Sequence, residues 1–256
     1  LVGADPLSDF PDRNLAAEAI QKVKTLIAVD TFITDSVAQA DVVLPATAYG
    51  EQGGTTTNIE GRISRLTQKI TATGSARDDW MIATELAWRL GGDLRLGSKE
   101  EIWREIEQVA PSHSGVTLER VESSEAHEGI LVQRSSIELD LPAPGTPPVA
   151  DGYGLRLVSG RKLWDAATTT TYSPSLQPLA EAAALRVHPN DLQRLGISSG
   201  TDVRVISTRL TEIITAIADD SIERGTAMLP FNQPGGGANR FIDAAAMVND
   251  IRIETV

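Results

Sequence analysis

The chain has 256 residues, 41% of them hydrophobic and 23% charged, enough for one large or two ordinary soluble domains with a sizeable core. Its net charge of −12 opposes nucleic-acid phosphates and anionic lipid, so no nucleic-acid partner is expected. With no cysteine, these residues can form no disulfide, thiolate-held iron–sulfur cluster, thiolate nucleophile or Cys-based zinc site.

No apolar run approaches the roughly 20 residues that cross a bilayer, so no direct membrane insertion is expected. The start, Leu1-Val2-Gly3-Ala4-Asp5, lacks both an initiator Met and the layout of a signal peptide, and reads as a cut from a longer polypeptide. Leu1 to Pro6 reads as the end of a strand. Arg13 to Val23 then carries Leu15, Ala16, Ala19, Ile20 and Val23 at helical spacing. Thr25 to Asp30 is a short apolar run ending in an acid, as a buried parallel strand delivering a carboxylate to its C-terminal rim would be. A short helix over Ile33 to Gln39, with Thr34 and Asp35 near its start, leads to a strand from Asp41 to Pro45. This alternation predicts an α/β, Rossmann-like lobe with a mostly parallel sheet and a ligand crevice outside the C-terminal strand ends.

From Ala46 to Arg65 a loop rich in Gly and Thr follows. Helices are predicted over Asp78 to Leu90 and Ser98 to Val109, the second opening with Ser98 and Glu101 at capping-box spacing. Residues 111–150 are mixed, and Leu141 to Pro148 carries four prolines, which forbid regular structure and mark a domain boundary. Beyond it, β-like runs dominate: Leu155–Val158, Leu185–His188, Val203–Ser207, Ile213–Ile217, Thr226–Pro230 and Ile251–Glu254, with one helix at Asn190 to Leu195. So many short strands predict a closed barrel or a sandwich. The expected organisation is an α/β lobe over 1–110, an irregular segment over 111–150 that covers the junction, and a β-lobe over 151–256.

Two stretches resemble one family. Val29 to Asp35, Ala40 to Ala46, Glu51, Gly54-Thr55, Asn58 and Glu60-Gly61-Arg62 are similar to the run that lines the dinucleotide crevice of molybdopterin-guanine-dinucleotide oxidoreductases. Leu157 to Arg161, Val187 to Val203, Gly225 to Ala227 and Asn239-Arg240-Phe241 resemble the last domain of the same superfamily. That resemblance implies a six-stranded double-psi β-barrel. Within the superfamily, Asn58-Ile59-Glu60-Gly61-Arg62 and the tail Pro234 to Asn239 resemble the large peripheral polypeptide of bacterial proton-pumping NADH:quinone oxidoreductases, the respiratory complex I family. This narrower resemblance implies a peripheral-arm module on the cytoplasmic side of the inner membrane, with the other peripheral-arm subunits as partners and iron–sulfur clusters upstream. No cofactor is expected within this segment. The alternative is a fragment of an active molybdenum enzyme, such as a formate dehydrogenase or nitrate reductase, holding a molybdopterin guanine dinucleotide.

The resemblance assigns cofactor-contact positions to Asp30, Gln52, Asp79, Ser159, Gly160, Arg161, Phe231 and Asn239. Asp30 would meet a guanosine, with Gln52 and Asp79 near the same nucleotide; without the resemblance these are a rim acid, a loop amide and a first-turn acid. Ser159-Gly160-Arg161 would let backbone approach a pyrophosphate while the guanidinium supplies a forked donor. Relatives follow this triplet with a histidine, whereas here the run is Lys162 to Thr168 with Asp165 in that neighbourhood, and a carboxylate there repels phosphate. Phe231 and Asn239 match an aromatic and an amide that flank a pterin, although a phenylalanine after a strand end is more often core and an asparagine in a glycine-rich turn usually satisfies backbone. Gly235-Gly236-Gly237 lacks the Lys and Ser/Thr of a nucleotide loop and reads as a turn. His113, His127 and His188 have no ligand spacing, so neither a metal site nor a catalytic triad is expected.

Overall fold

Apolar runs alternate with amphipathic ones along the first 110 residues, and strands and helices form accordingly. Helices α1 (Pro6–Asp9) and α2 (Arg13–Lys22) precede β1 (Ile27–Asp30), which pairs with β2 (Val42–Pro45) in a short parallel sheet. Strands β3 (Gly54–Thr57) and β4 (Arg62–Leu66) make an antiparallel hairpin. After α3 (Asp79–Arg89), α4 (Lys99–Val109) and α5 (Leu118–Glu122), strand β5 (Ile130–Leu131) adds to β4. The computed structural model describes all residues except 124–127, 133–139, 142, 144, 150, 151 and 153, so His127 lies outside the described residues. The chain divides into two units, one of Leu1–Ala28, Phe32–Val42 and Pro144–Val256, the other of Val29–Thr31 and Val43–Ala143.

Two expectations change at the N-terminal end. Leu1 to Pro6 contributes a single bridge at Val2 rather than a strand end, because Pro6 presets the first helical φ and α1 starts there. The helix expected over Ile33 to Gln39 is one 3₁₀ turn, Val37–Gln39. Thr34 Oγ1 accepts the Val37 N–H at 3.3 Å, while buried Ser36 donates to the Asp5 carboxylate and accepts the Leu7 N–H at 3.0 Å. Short polar side chains thus take the bonds a longer helix would need.

In the unit built on 43–143, the hairpin turn is Asn58 to Arg62. Asn58 Oδ1 accepts the N–H groups of Glu60 and Arg62 at 3.0 and 2.9 Å, and Gly61 adopts φ +83°. Ser98 caps α4 by accepting the Glu101 N–H at 3.2 Å, but the return bond is displaced one residue, the Glu101 carboxylate accepting the Gly97 N–H at 2.7 Å. Two small clusters bury this unit's apolar side chains. One joins Val29, Ala46 and Ile82; the other joins Ile63, Trp103, Val116 and Val121, with the Trp103 indole donating to the Val116 carbonyl at 2.7 Å.

The second unit holds β6 (Leu155–Val158), α6 (Thr168–Thr171), β7 (Leu185–Val187), α7 (Pro189–Leu195), β8 (Thr201–Ile206), β9 (Thr211–Ala218), β10 (Thr226–Met228) and β11 (Asp250–Thr255). Its six strands close in the order β10-β6-β11-β8-β9-β7, with β10/β6 and β7/β9 parallel. Period-2 alternation turns Leu155, Leu157, Val203, Val205, Ile251 and Ile253 inward, where they join one continuous core with Leu229 and Phe241. Each such side chain contributes roughly 1.5 to 3 kcal/mol on burial. Pattern reading missed α6, whose four threonines have poor helix propensity. His188 caps α7, its Nδ1 accepting the Asn190 N–H at 3.1 Å, a structural role.

Asp12 fastens α2 to this unit. Fully buried, it accepts the N–H groups of Leu15 and Ala244 at 2.9 and 3.2 Å and pairs with Arg209 in the β8–β9 turn. Burial alone would raise its pKa, but these N–H bonds and the guanidinium overcome it and hold the carboxyl below the ordinary aspartate range.

Candidate functional site

Five of the eight candidate residues lie in the barrel unit. Ser159, Gly160 and Arg161 leave the end of β6, and Phe231 follows β10. Leu229 donates to the Val158 carbonyl at 3.1 Å and Phe231 to that of Gly160 at 3.0 Å, so the pairing of these strands carries the two loops side by side. With Asp9 and Ile242 they line an open depression of about 610 Å³. The glycine run forms a turn, Gln233 and Gly236 exchanging backbone bonds at 2.8 and 3.0 Å. A Cβ on Gly237 would fall 2.3 Å from the Phe231 carbonyl oxygen, so glycine there is what lets the turn close behind Phe231.

Arg161 is surrounded from within the chain. Its guanidinium pairs with the Asp9 carboxylate, stands 3.5 Å from Asp165 Oδ2 and lies over the Phe231 ring, 5.2 Å from its centroid. Asp165 is 5% exposed and held in place by the Ala167 N–H, which donates to its Oδ1 at 3.0 Å. Asn239, also buried, lines a separate cleft of about 450 Å³ and donates to the Ser8 carbonyl at 3.3 Å. Asn232 donates to Ser8 Oγ at 2.7 Å. Sequence reasoning missed Ser8, Asp9 and Asn232, because contacts such as Arg161 to Asp9, 152 positions apart, leave no local spacing to read.

The other three candidates lie in the unit built on 43–143. Asp30 ends β1, its Oδ1 accepting the Thr31 N–H at 2.7 Å and its carbonyl the Ala46 N–H at 3.0 Å. Asp79 opens α3, beside Asp78, which pairs with Lys99 at 2.8 Å. Desolvation of its carboxyl, then the charges of Asp78 and Asp30, push Asp79 above the ordinary aspartate range, so the structure brings Asp30 and Asp79 into one acidic corner. Gln52 is half-buried in the loop before β3. Among the described residues no group of three or more His, Cys, Asp or Glu is placed to hold a metal ion, and no helix is long and apolar enough to cross a membrane.

Shape and charge disagree about a pyrophosphate. A Cβ on Gly160 would meet nothing within 4 Å, so the surface above it stays open to close approach. Yet the donors that would fork a phosphate already face two carboxylates, and a third anion would meet the buried Asp165 as a like charge. As arranged, Ser159-Gly160-Arg161 would offer a pyrophosphate an open backbone but an arginine already paired within the chain.

The model of the molybdopterin oxidoreductase family matches residues 1–89, and that of the molydopterin dinucleotide binding domain matches residues 155–251. The chain belongs to the molybdopterin oxidoreductase superfamily. Within it, the chain is 30% identical over 254 residues to the NADPH-Fe(3+) oxidoreductase subunit alpha of Geobacter sulfurreducens, covering 99% of the chain and 29% of that protein. It is 28% identical to the F420-dependent formate dehydrogenase 1 subunit alpha of Methanococcus maripaludis, covering 93% of the chain and 39% of that protein. Against an NADH-quinone oxidoreductase subunit of Rhizobium meliloti the identity is 31% over 211 residues, 82% of the chain and 24% of that protein. The chain thus spans well under half the length of these relatives.

Proposed function

We propose that this chain is the C-terminal structural module of the large peripheral-arm polypeptide of a bacterial NADH:quinone oxidoreductase, with no redox centre of its own. The observation that carries the reading is the guanidinium of Arg161, engaged by Asp9 and by the buried Asp165 where a pyrophosphate would need its donors. On this reading Asp30, Gln52, Asp79, Ser159, Gly160, Arg161, Phe231 and Asn239 are vestiges of a nucleotide site. The superfamily's molybdopterin is absent from the segment, iron–sulfur clusters reside upstream, and the assembly sits peripherally on the cytoplasmic face of the inner membrane. Similarity to the Rhizobium protein supports the choice within the superfamily. Purifying the native assembly tests it: NADH-driven quinone reduction with co-purifying iron–sulfur and flavin subunits is expected, and a preparation without them defeats the proposal.

A second reading, a cofactor-holding part of a formate dehydrogenase or nitrate reductase, is favoured by the formate dehydrogenase similarity and by the acidic corner of Asp30 and Asp79, since carboxylates accept from the N–H edge of guanine. Formate- or nitrate-dependent turnover by the same preparation would select it.

A further inference from the structure

We infer that Asp9 and Asp165 act together as an internal anion on Arg161, with Asp165 the residue that bars phosphates and Asp9 the exchangeable half. The inference deepens the structural-module reading and rests on it.

The two carboxylates differ in how they are held. Asp9 ends the four-residue α1, and its side chain is 49% exposed. Ion pairs that exposed are weak, so an anion arriving from solvent can displace it at little cost. Asp165 has a side chain only 7% exposed, and its second oxygen is bound by the Ala167 N–H at the start of α6. Turning away would break that bond and leave a part-buried N–H without its acceptor. Any phosphate that replaced Asp9 would therefore share the guanidinium with a fixed like charge. Asp165 could instead be no more than the acceptor that starts α6. Asp165→Asn separates the two roles, since an amide oxygen still accepts the Ala167 N–H but carries no charge.

The test titrates inorganic pyrophosphate calorimetrically into the full-length protein at low ionic strength. Wild type, Asp9→Asn, Asp165→Asn, the double variant and the double variant with Arg161→Gln are compared, with thermal unfolding to confirm that each is folded. Wild type and Asp9→Asn should bind weakly. Asp165→Asn should bind on the order of tenfold more tightly, the double variant more tightly still, and Arg161→Gln should return the affinity to the wild-type level. Asp165→Ser, which also keeps an acceptor, replaces Asp165→Asn if that variant does not fold. The inference is overturned if a folded Asp165 variant binds no more tightly than wild type, if Asp9→Asn gains as much as Asp165→Asn, or if the gain survives Arg161→Gln. Dinucleotide extracted from the native protein would defeat the structural-module reading, whereas the ranking of Asp165 over Asp9 is decided by the titration alone.

Discussion

In the barrel unit the polar side chains expected to meet a cofactor reach the chain itself: Arg161 meets Asp9 and Asp165, and Asn239 meets the Ser8 carbonyl. In the unit built on 43–143, Asp79 stands among like charges from Asp78 and Asp30. The cores differ in the same direction, one continuous cluster filling the barrel and two small ones serving the other unit. The difference between the two units lies in the partners of their polar side chains: internal ones in the barrel unit, like charges in the other.

The largest contrast should come from the cores. Leu155→Ala, at a fully buried barrel position, should cost about 4 kcal/mol. Ile82→Ala, in a cluster of three buried residues at the rim of solvent, should cost about 2 kcal/mol because the site can relax. Urea unfolding of both variants checks the difference, and equal losses would break the contrast.

Next in size is Asp12→Asn, which leaves Arg209 beside a neutral amide and should cost about 3 kcal/mol at neutral pH. Because the folded pKa of Asp12 lies below its unfolded value, its contribution is present above the ordinary aspartate range and is lost as the pH falls through the folded pKa. Wild type and variant should therefore converge in acid. A stability gap that persists there would show that the loss is not carried by charge.

Asp79→Asn should give the smallest effect and the opposite sign. Its folded pKa is raised, so stability falls as pH rises from the unfolded value through the folded one, and removing the charge should stabilise slightly at pH 7, solvent screening of this exposed group keeping the effect small. Unfolding midpoints at pH 4 and pH 7 check it: wild type and variant should differ at the higher pH only.

What could be read from the sequence was local. Alternation in Val203 to Ser207 and Ile251 to Glu254 located barrel strands, since period 2 is imposed by the pleat itself. Arg161 stood out because Ser-Gly-Arg is a compact phosphate pattern, and Asp165 because it brings a carboxylate into the run that follows it. Asp9 gave no signal, because its importance comes from folding across 152 positions. The short helix around Val37 was over-read for a related reason: Ser36 looks like an ordinary helix residue until Asp5 and Leu7, about 30 positions earlier, claim its hydroxyl.

The most direct test of the self-occupied arginine is the cofactor content of the full-length native protein, measured as oxidised pterin, released guanine nucleotide and molybdenum or tungsten per polypeptide. Amounts far below one equivalent of each are predicted. One or two equivalents of pterin and guanine nucleotide, with stoichiometric metal, would contradict it.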